Sequence, residues 1–327
     1  MLVLARADLE RLLTPRAVID VLADAFRLAA AGACHVPARE SVPTGDDGVL
    51  LLMPAVSDAG GGDAALGVKL VSVYPSNRAR GHPTVYASYV LMDGATGQPL
   101  ALLEATYLTA LRTAATSALA ARLLARADAR RVVCFGAGVQ AAMQLRCLAT
   151  VRRLERVTVV GRNPDRARRF ASEMARELGV PVEVASSSHA AVRDADIVTC
   201  ATTSTAPVLF GADLCPGVHV DLVGAFRPTD READSEAVRR ARVVVDTYAG
   251  ALEEAGDVLI PLREGAIHRD DIVAELAELL TGARIGRRSD DDITLFKSVG
   301  WALEDLATAR LAYARARAER VGAEMAL

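Results

Sequence analysis

Gly136-Ala137-Gly138-Val139-Gln140-Ala141 follows the apolar run RVVCF and opens a stretch with helical spacing. In a strand–turn–helix setting, the first glycine of such a loop permits a tight turn and the second lets backbone amides approach a pyrophosphate. A small third residue lets the helix pack on the strand, and the helix N-terminus then faces the phosphates. A dinucleotide lying against Gly136, Ala137, Gly138, Val139 and Gln140 is expected; the alternative is a turn with a purely structural purpose. The next apolar run, RVTVV, ends in Gly161-Arg162-Asn163, at the place where an acid commonly bonds the adenosine ribose. A carboxylate there would repel a 2′-phosphate. Arg162 can instead grip one bidentately, Asn163 can donate to it, and Arg166 can add charge from the next helix. The pattern favours NADP(H) over NAD(H), against the alternative that these arginines only solvate a surface.

Composition adds a second signal: of 38 basic residues, 36 are arginine and only Lys69 and Lys297 are lysine. Either both survive by chance, or these sites need a compact ammonium whose pKa burial can lower, which a guanidinium cannot supply. Thr202 and Ser204, in CATTSTAP, follow an apolar strand at its carboxy end, where open α/β sheets bind ligands; turn formation competes as their role, above all for Ser204.

The elements that must position these residues are readable in outline. Thr14-Pro15 predicts a helix start, with Thr14 as cap, running to Gly32. From Val49 to Leu103, short β-type runs separated by Asn77, Gly81-His82-Pro83 and Asp93-Gly94 predict an antiparallel meander. A helix rich in alanine and leucine follows, and from Arg131 strands alternate with helices, which predicts a parallel, doubly wound Rossmann-type sheet. The fold class is therefore α/β, a Rossmann-type sheet joined to an α+β domain. The last helix, beginning at GWALEDLATA, is expected to carry charge on one face only and to pack on the first domain.

Whole-chain properties exclude several classes. With 327 residues the chain suits two domains, and a formal charge of -3 gives no basic field for nucleic acid or anionic lipid. Leu100 to Ala125, the most apolar long segment, contains Glu104, Arg112 and Arg122, which argues against a membrane span. Cys34, Cys134, Cys147, Cys200 and Cys215 are scattered and odd in number, so neither a disulfide framework nor a zinc site is expected, and a reducing cytoplasm fits. No metal is expected.

The segments GVKLVSVYPSNRARGHPTVYASYVLMDGATGQPLALLEATYLTALRTAATSALAARLLA, FGAGVQA, VVGRNP, DLVGAFRPTDREAD and ITLFKSVGWALEDLATA together resemble the ornithine cyclodeaminase/mu-crystallin family. The resemblance runs in order over most of the chain beyond residue 65. It implies a homodimer: residues 1–118, completed by 304–327, would bind substrate and pair with their twin, and 119–303 would form the NADP-binding domain. It also implies chemistry at the nitrogen-bearing carbon of a small α-amino, α-imino or α-keto acid. Arg39 in VPARES and Arg112 in ALRTAAT match the family's carboxylate-binding arginines. Lys69 in GVKL matches its active-site lysine, which can bond the carboxylate, polarise the imine or donate a proton, with a pKa depressed by neighbouring arginines.

By the same resemblance Thr113 reaches the cofactor phosphates, while Val223, Gly224 and Lys297 stand on the cofactor side. His82 and Tyr86 are candidates for substrate choice. The cyclodeaminase branch carries an aspartate where this chain has Phe226, and phenylalanine cannot accept a proton. Asp230 is expected to cap the following helix. Hydride transfer between a nicotinamide and a C=N carbon is the reading that survives. A cyclodeaminase-type ring closure and a non-catalytic binder of NADPH and a small ligand are the alternatives.

Overall fold

The computed structural model describes residues 1–45, 47–58 and 64–326. The chain divides into two compact units, Met1–Thr113 with Trp301–Leu327, and Ala114–Gly300.

The first unit begins with β1 (Leu2–Leu4), α1 (Arg6–Leu12) and α2 (Pro15–Ala30). Thr14 caps α2 as its sequence predicts, its hydroxyl accepting from the Ala17 amide. Then come β2 (Cys34–His35), β3 (Glu40–Thr44), β4 (Gly48–Ser57), β5 (Ala65–Val73), β6 (Val85–Asp93) and β7 (Pro99–Glu104). Strands β4 to β7 form the expected antiparallel meander, and β1 joins β7 in parallel. Side chains alternate across a strand, so β5 turns Ala65, Gly67, Lys69 and Val71 to the buried face. The long α3 (Ala105–Leu124) follows, and the boundary between units falls within it.

The second unit alternates strictly at first: β8 (Arg131–Phe135), α4 (Val139–Val151), β9 (Arg156–Val160), α5 (Pro164–Leu178), β10 (Val182–Val184), α6 (Ser188–Arg193), β11 (Ile197–Cys200) and β12 (His219–Leu222). It continues through α7 (Ser235–Arg240), β13 (Arg242–Val245), α8 (Tyr248–Glu254), α9 (Gly256–Arg263), β14 (Ile272–Glu275), α10 (Leu276–Thr281) and β15 (Thr294–Lys297). The sheet order is β10-β9-β8-β11-β12-β15-β13-β14, and every pair is parallel. Connections from β8 run one way to β9 and the order then reverses to β11, so the β8/β11 crevice is the topological switch point at which such sheets bind ligands. β14 escaped the sequence reading: IVAE is short and runs directly into a helix.

The chain then returns to the first unit as α11 (Ala302–Glu319) and β16 (Ala323–Glu324). α11 packs against α2 and across β4, β5 and β6, with the Trp301 ring centroid 5.6 Å from that of Phe26. Its expected one-sided charge is not what the structure has. Glu304 and Asp305 are buried along with their apolar neighbours Leu303 and Leu306, because cations on facing elements neutralise them.

Candidate active site

Lys69 occupies a position on β5 that the alternation assigns to core. Its strand neighbours in register are Met53 on β4 and Tyr89 on β6, both buried, and α11 covers this face. An ammonium here needs a partner. Lys69 Nζ donates to Asp305 Oδ2 at 2.7 Å, and Arg112 Nε donates to the other oxygen of Asp305 at 3.0 Å. Arg112 also donates from a terminal nitrogen to Glu304 Oε2 at 2.7 Å. One carboxylate thus bridges the two cations, and a second fixes the guanidinium fork.

Burial is the main force lowering the Lys69 pKa to about 8, with the Arg112 charge second, while Asp305 and Glu304 oppose both. Burial leads, as expected for a scarce lysine, and the neighbouring arginine that the resemblance implies comes second. For Arg112, burial acts downward, but Asp305 and Glu304 together carry its pKa above the ordinary arginine value. Gly67 makes room for the Tyr89 ring, since a Cβ at Gly67 would lie 2.5 Å from the Tyr89 hydroxyl oxygen. That hydroxyl is buried and has no hydrogen-bond partner among the described residues. Arg39, half-buried, immediately precedes β3. β3 begins at the next residue, Glu40, which pairs with Leu52 of β4. Thr113 follows Arg112 on α3 and is half-buried.

In the second unit, Gly136 has φ +113°, and a Cβ there would sit 2.6 Å from the Ala201 carbonyl oxygen. Only glycine suits this turn between β8 and α4. Gly138 is the N-cap of α4 and offers no side chain to the first turn, whose amides lack intrahelical acceptors. Val139, at the first helical position, is 70% exposed, and Ala141 is fully buried against the strand. A bare, left-handed turn feeding a helix N-terminus fits a pyrophosphate. Asn163 caps α5, its Oδ1 accepting from the Arg166 amide. Arg162 beside it is exposed, while Arg166 Nε donates to the Ala137 carbonyl at 2.9 Å and so braces the glycine loop.

The remaining cofactor-side candidates meet at the carboxy ends of the next strands. Thr202, after β11, donates its amide and hydroxyl to Glu232 Oε1, both at 2.7 Å, and Gly224, after β12, donates its amide to Glu232 Oε2 at 2.6 Å. Val223, beside it, donates its amide to the Cys200 carbonyl. Ser204 closes a turn through Thr202 Oγ1 and the Ala206 carbonyl, the competing role weighed for it. Lys297 is fully buried and donates to Asp257 Oδ2 at 2.8 Å and to the Ala225 carbonyl. Its described bonds are to protein.

Sequence reasoning missed four acids, Glu304, Asp305, Glu232 and Asp257. The first pair gave no signal: adjacent helical residues can share one solvent face, and acids are favoured at a helix start. Asp230 does not cap α7; Asp234 does, accepting from the Ala237 amide, because the helix begins one turn later than TDREAD suggests. Phe226 is 37% exposed and lies near the Arg227 guanidinium. All five cysteines are free, and burial pushes the thiols of Cys134 and Cys147 up to about 12. No described helix is long and apolar enough to cross a membrane.

A parallel sheet with a glycine-hinged switch point, joined to a unit carrying a buried ammonium–guanidinium pair, defines an α/β protein of the Rossmann dinucleotide-binding class. The profile of the ornithine cyclodeaminase/mu-crystallin family matches residues 1–320, and the chain belongs to that family. A Δ1-pyrroline-2-carboxylate reductase of Bacillus cereus is 38% identical over 324 residues, covering 98% of each chain. The Thermococcus litoralis Δ1-pyrroline-2-carboxylate reductase, solved with NADH and L-proline, superposes with a TM-score of 0.96 at 42% identity, over 99% of this chain and 100% of that one. An archaeal alanine dehydrogenase dimer with bound NAD gives a TM-score of 0.92 at 32% identity, over 100% of this chain and 99% of its own.

Proposed function

We propose that this chain reduces Δ1-pyrroline-2-carboxylate, a cyclic α-imino acid, to L-proline at the expense of a reduced nicotinamide nucleotide. It is an NAD(P)-dependent oxidoreductase acting on the CH–NH bond, and its substrates are small amino or imino acids. The observation that carries the reading is the buried Lys69–Asp305–Arg112 bridge, joined to full-length similarity with reductases of this substrate. The substrate carboxylate is held by Arg112 and Arg39. A guanidinium has five N–H donors, so being fixed by α11 and gripping a planar carboxylate are compatible tasks. Lys69, with its pKa brought near 8, supplies the proton that the ring nitrogen takes as its C=N bond is reduced. The nicotinamide supplies the hydride, which adds to the carbon bearing the carboxylate. Gly136, Ala137, Gly138, Val139 and Gln140 hold its pyrophosphate, and Thr113, Thr202, Ser204, Val223 and Gly224 line the rest of its path.

NADPH is the favoured donor in this reading because Arg162, Asn163 and Arg166 replace the ribose-binding acid. The chain works as a homodimer in the cytoplasm, where its free thiols stay reduced. The outer face of the first unit's sheet supports the dimer: Val42, Val56, Leu70 and Tyr86 are each more than a third exposed on neighbouring strands, an apolar surface that suits a second copy. The alternative of ammonia-eliminating cyclisation has no proton acceptor at Phe226.

The test follows the loss of the reduced cofactor with a panel of acids. Turnover of Δ1-pyrroline-2-carboxylate without ammonia is the expected result. Turnover of pyruvate only with ammonium would assign an alanine dehydrogenase instead, and silence across the panel would leave a binding protein.

A further inference from the structure

Glu232 falls within the DLVGAFRPTDREAD segment but was not among the expected site residues; it is fully buried and joins two loops at the sheet's carboxy edge. The loops touch directly, since a Cβ at Gly224 would fall 2.3 Å from the Thr202 carbonyl oxygen and 2.4 Å from Glu232 Oε1. Glu232 is itself held from behind. Asp257 Oδ1 accepts from the amides of Glu232 at 2.7 Å and Ala233 at 3.0 Å, and Asp257 Oδ2 accepts from Lys297 at the end of β15. Three strand ends, β11, β12 and β15, are thereby tied through two carboxylates and one ammonium.

The hydrogen bonds decide the ionic form. Thr202 Oγ1 accepts from the Ser204 amide, so its own proton turns to Glu232, which receives three donors. Asp257 likewise receives only N–H groups. Both acids are carboxylates, because a protonated one would need an acceptor where each contact is a donor. Burial and the Asp257 charge raise the Glu232 pKa, while Lys297 and the Thr202 bonds oppose the rise. The adjacent thiols of Cys134 and Cys200 are neutral and offset nothing. Two carboxylates against one ammonium leave a single uncompensated negative charge, out of water, beneath the loops that follow β11 and β12.

We propose that Glu232 is a positioning residue for the nicotinamide end of the cofactor, fixing the Thr202 and Gly224 backbone and favouring the cationic, oxidised ring over the neutral, reduced one. The inference rests on the nucleotide-binding reading above and adds a direction to it. As hydride leaves, the donor ring gains positive charge, and a fixed negative charge in a low-dielectric setting stabilises that change. Lys297, whose scarcity marked it from the start, then acts through Asp257 and Glu232.

The test measures the dissociation constants of NADP+ and NADPH separately, by calorimetry and by the fluorescence of the reduced ring, in the full chain and in Glu232→Gln and Glu232→Asp. Glu232→Gln keeps the shape and removes the charge. It is expected to weaken the oxidised form ~5- to 10-fold more than the reduced form. Glu232→Asp keeps the charge but shortens the reach, and is expected to weaken both forms with their ratio unchanged. Equal losses in Glu232→Gln, or a ratio shift in Glu232→Asp as large as in Glu232→Gln, would overturn the proposal. Should Glu232→Gln fail to fold, Glu232→Asp carries the test: weaker binding of both forms at an unchanged ratio is the expected result, and a changed ratio or unaltered affinities overturn the proposal. A parent chain that binds neither form removes the nucleotide reading itself, an outcome distinct from binding with an unaltered ratio.

Discussion

Lys69 and Lys297 are equally buried, but Lys69 shares its carboxylate with a guanidinium whereas Lys297 meets only acceptors. In the first unit two cations, Lys69 and Arg112, balance two anions, Glu304 and Asp305, and a neighbouring positive charge helps bring the ammonium to a pKa of about 8. In the second unit Lys297 is outnumbered by Glu232 and Asp257. The difference teaches that a rare residue type marks a site without naming its task. A lysine paired with both an acid and another cation is poised to give up its proton, and one enclosed by acceptors is a strut.

The largest expected effect separates these two tasks. Lys69→Ala should reduce turnover by ~10²- to 10⁴-fold while leaving the affinity for NADPH nearly intact, as measured by steady-state rates and a binding titration. A variant that keeps close to the parent rate would show that Lys69 does not handle the proton, and the contrast between the lysines would collapse.

Next comes the bridge. Asp305→Asn leaves Lys69 and Arg112 buried beside each other without their shared counter-charge, so it should cost ~3 kcal/mol or more in a denaturant melt. It also sharpens the pH behaviour. In the parent, an acid with a pKa of about 8 is protonated below that pH, so kcat/KM should be level there and decline above it. Asp305 raises the Lys69 pKa, so its neutralisation should move this alkaline limb to lower pH. A limb that moves upward or stays in place contradicts the assignment.

Smaller effects are expected away from both clusters. Arg162→Asp should weaken NADPH ~10- to 100-fold more than NADH, the equivalent of one charge-assisted hydrogen bond lost and a repulsion gained. Parallel losses for the two cofactors would remove Arg162 from the 2′-phosphate. Asp221 gives the smallest effect and a third kind of buried charge. Neither of its oxygens has a hydrogen-bond partner among the described residues, and burial raises its pKa, with His219 Nε2 3.4 Å away opposing the rise. A raised carboxyl pKa means that the unfolded chain ionises first. Stability is therefore unaffected below the unfolded value and declines as pH climbs toward the folded one. Asp221→Asn should remove that decline and gain ~1 kcal/mol at neutral pH, visible in melts taken across the pH range.

Much of the fold was legible because its signals are local. The Thr14-Pro15 start, the turn-punctuated meander and the strand–helix alternation after Arg131 each depend on residues close in sequence, and each stands where it was expected. β14 was not legible, since four residues carry too little pattern to distinguish a strand from the approach to α10. Among the site residues, the glycine loop declared itself through its spacing, and Lys69 and Lys297 through their scarcity. The acids that govern both lysines gave no comparable sign. Charged residues are common in helices, and nothing within WALEDLATA states which face a core will cover.

Sequence alone determined the types of group available and the local geometry that only certain residues permit, such as the left-handed turn at Gly136. It also supplied a chain of motifs whose order marked the family. Tertiary structure decided which charges meet. Asp305 stands 236 residues from the ammonium it holds, and Asp257 stands 40 from its own. Proton affinity in a folded chain follows from burial and from the sum of nearby charges, and neither quantity exists until distant segments close around the group.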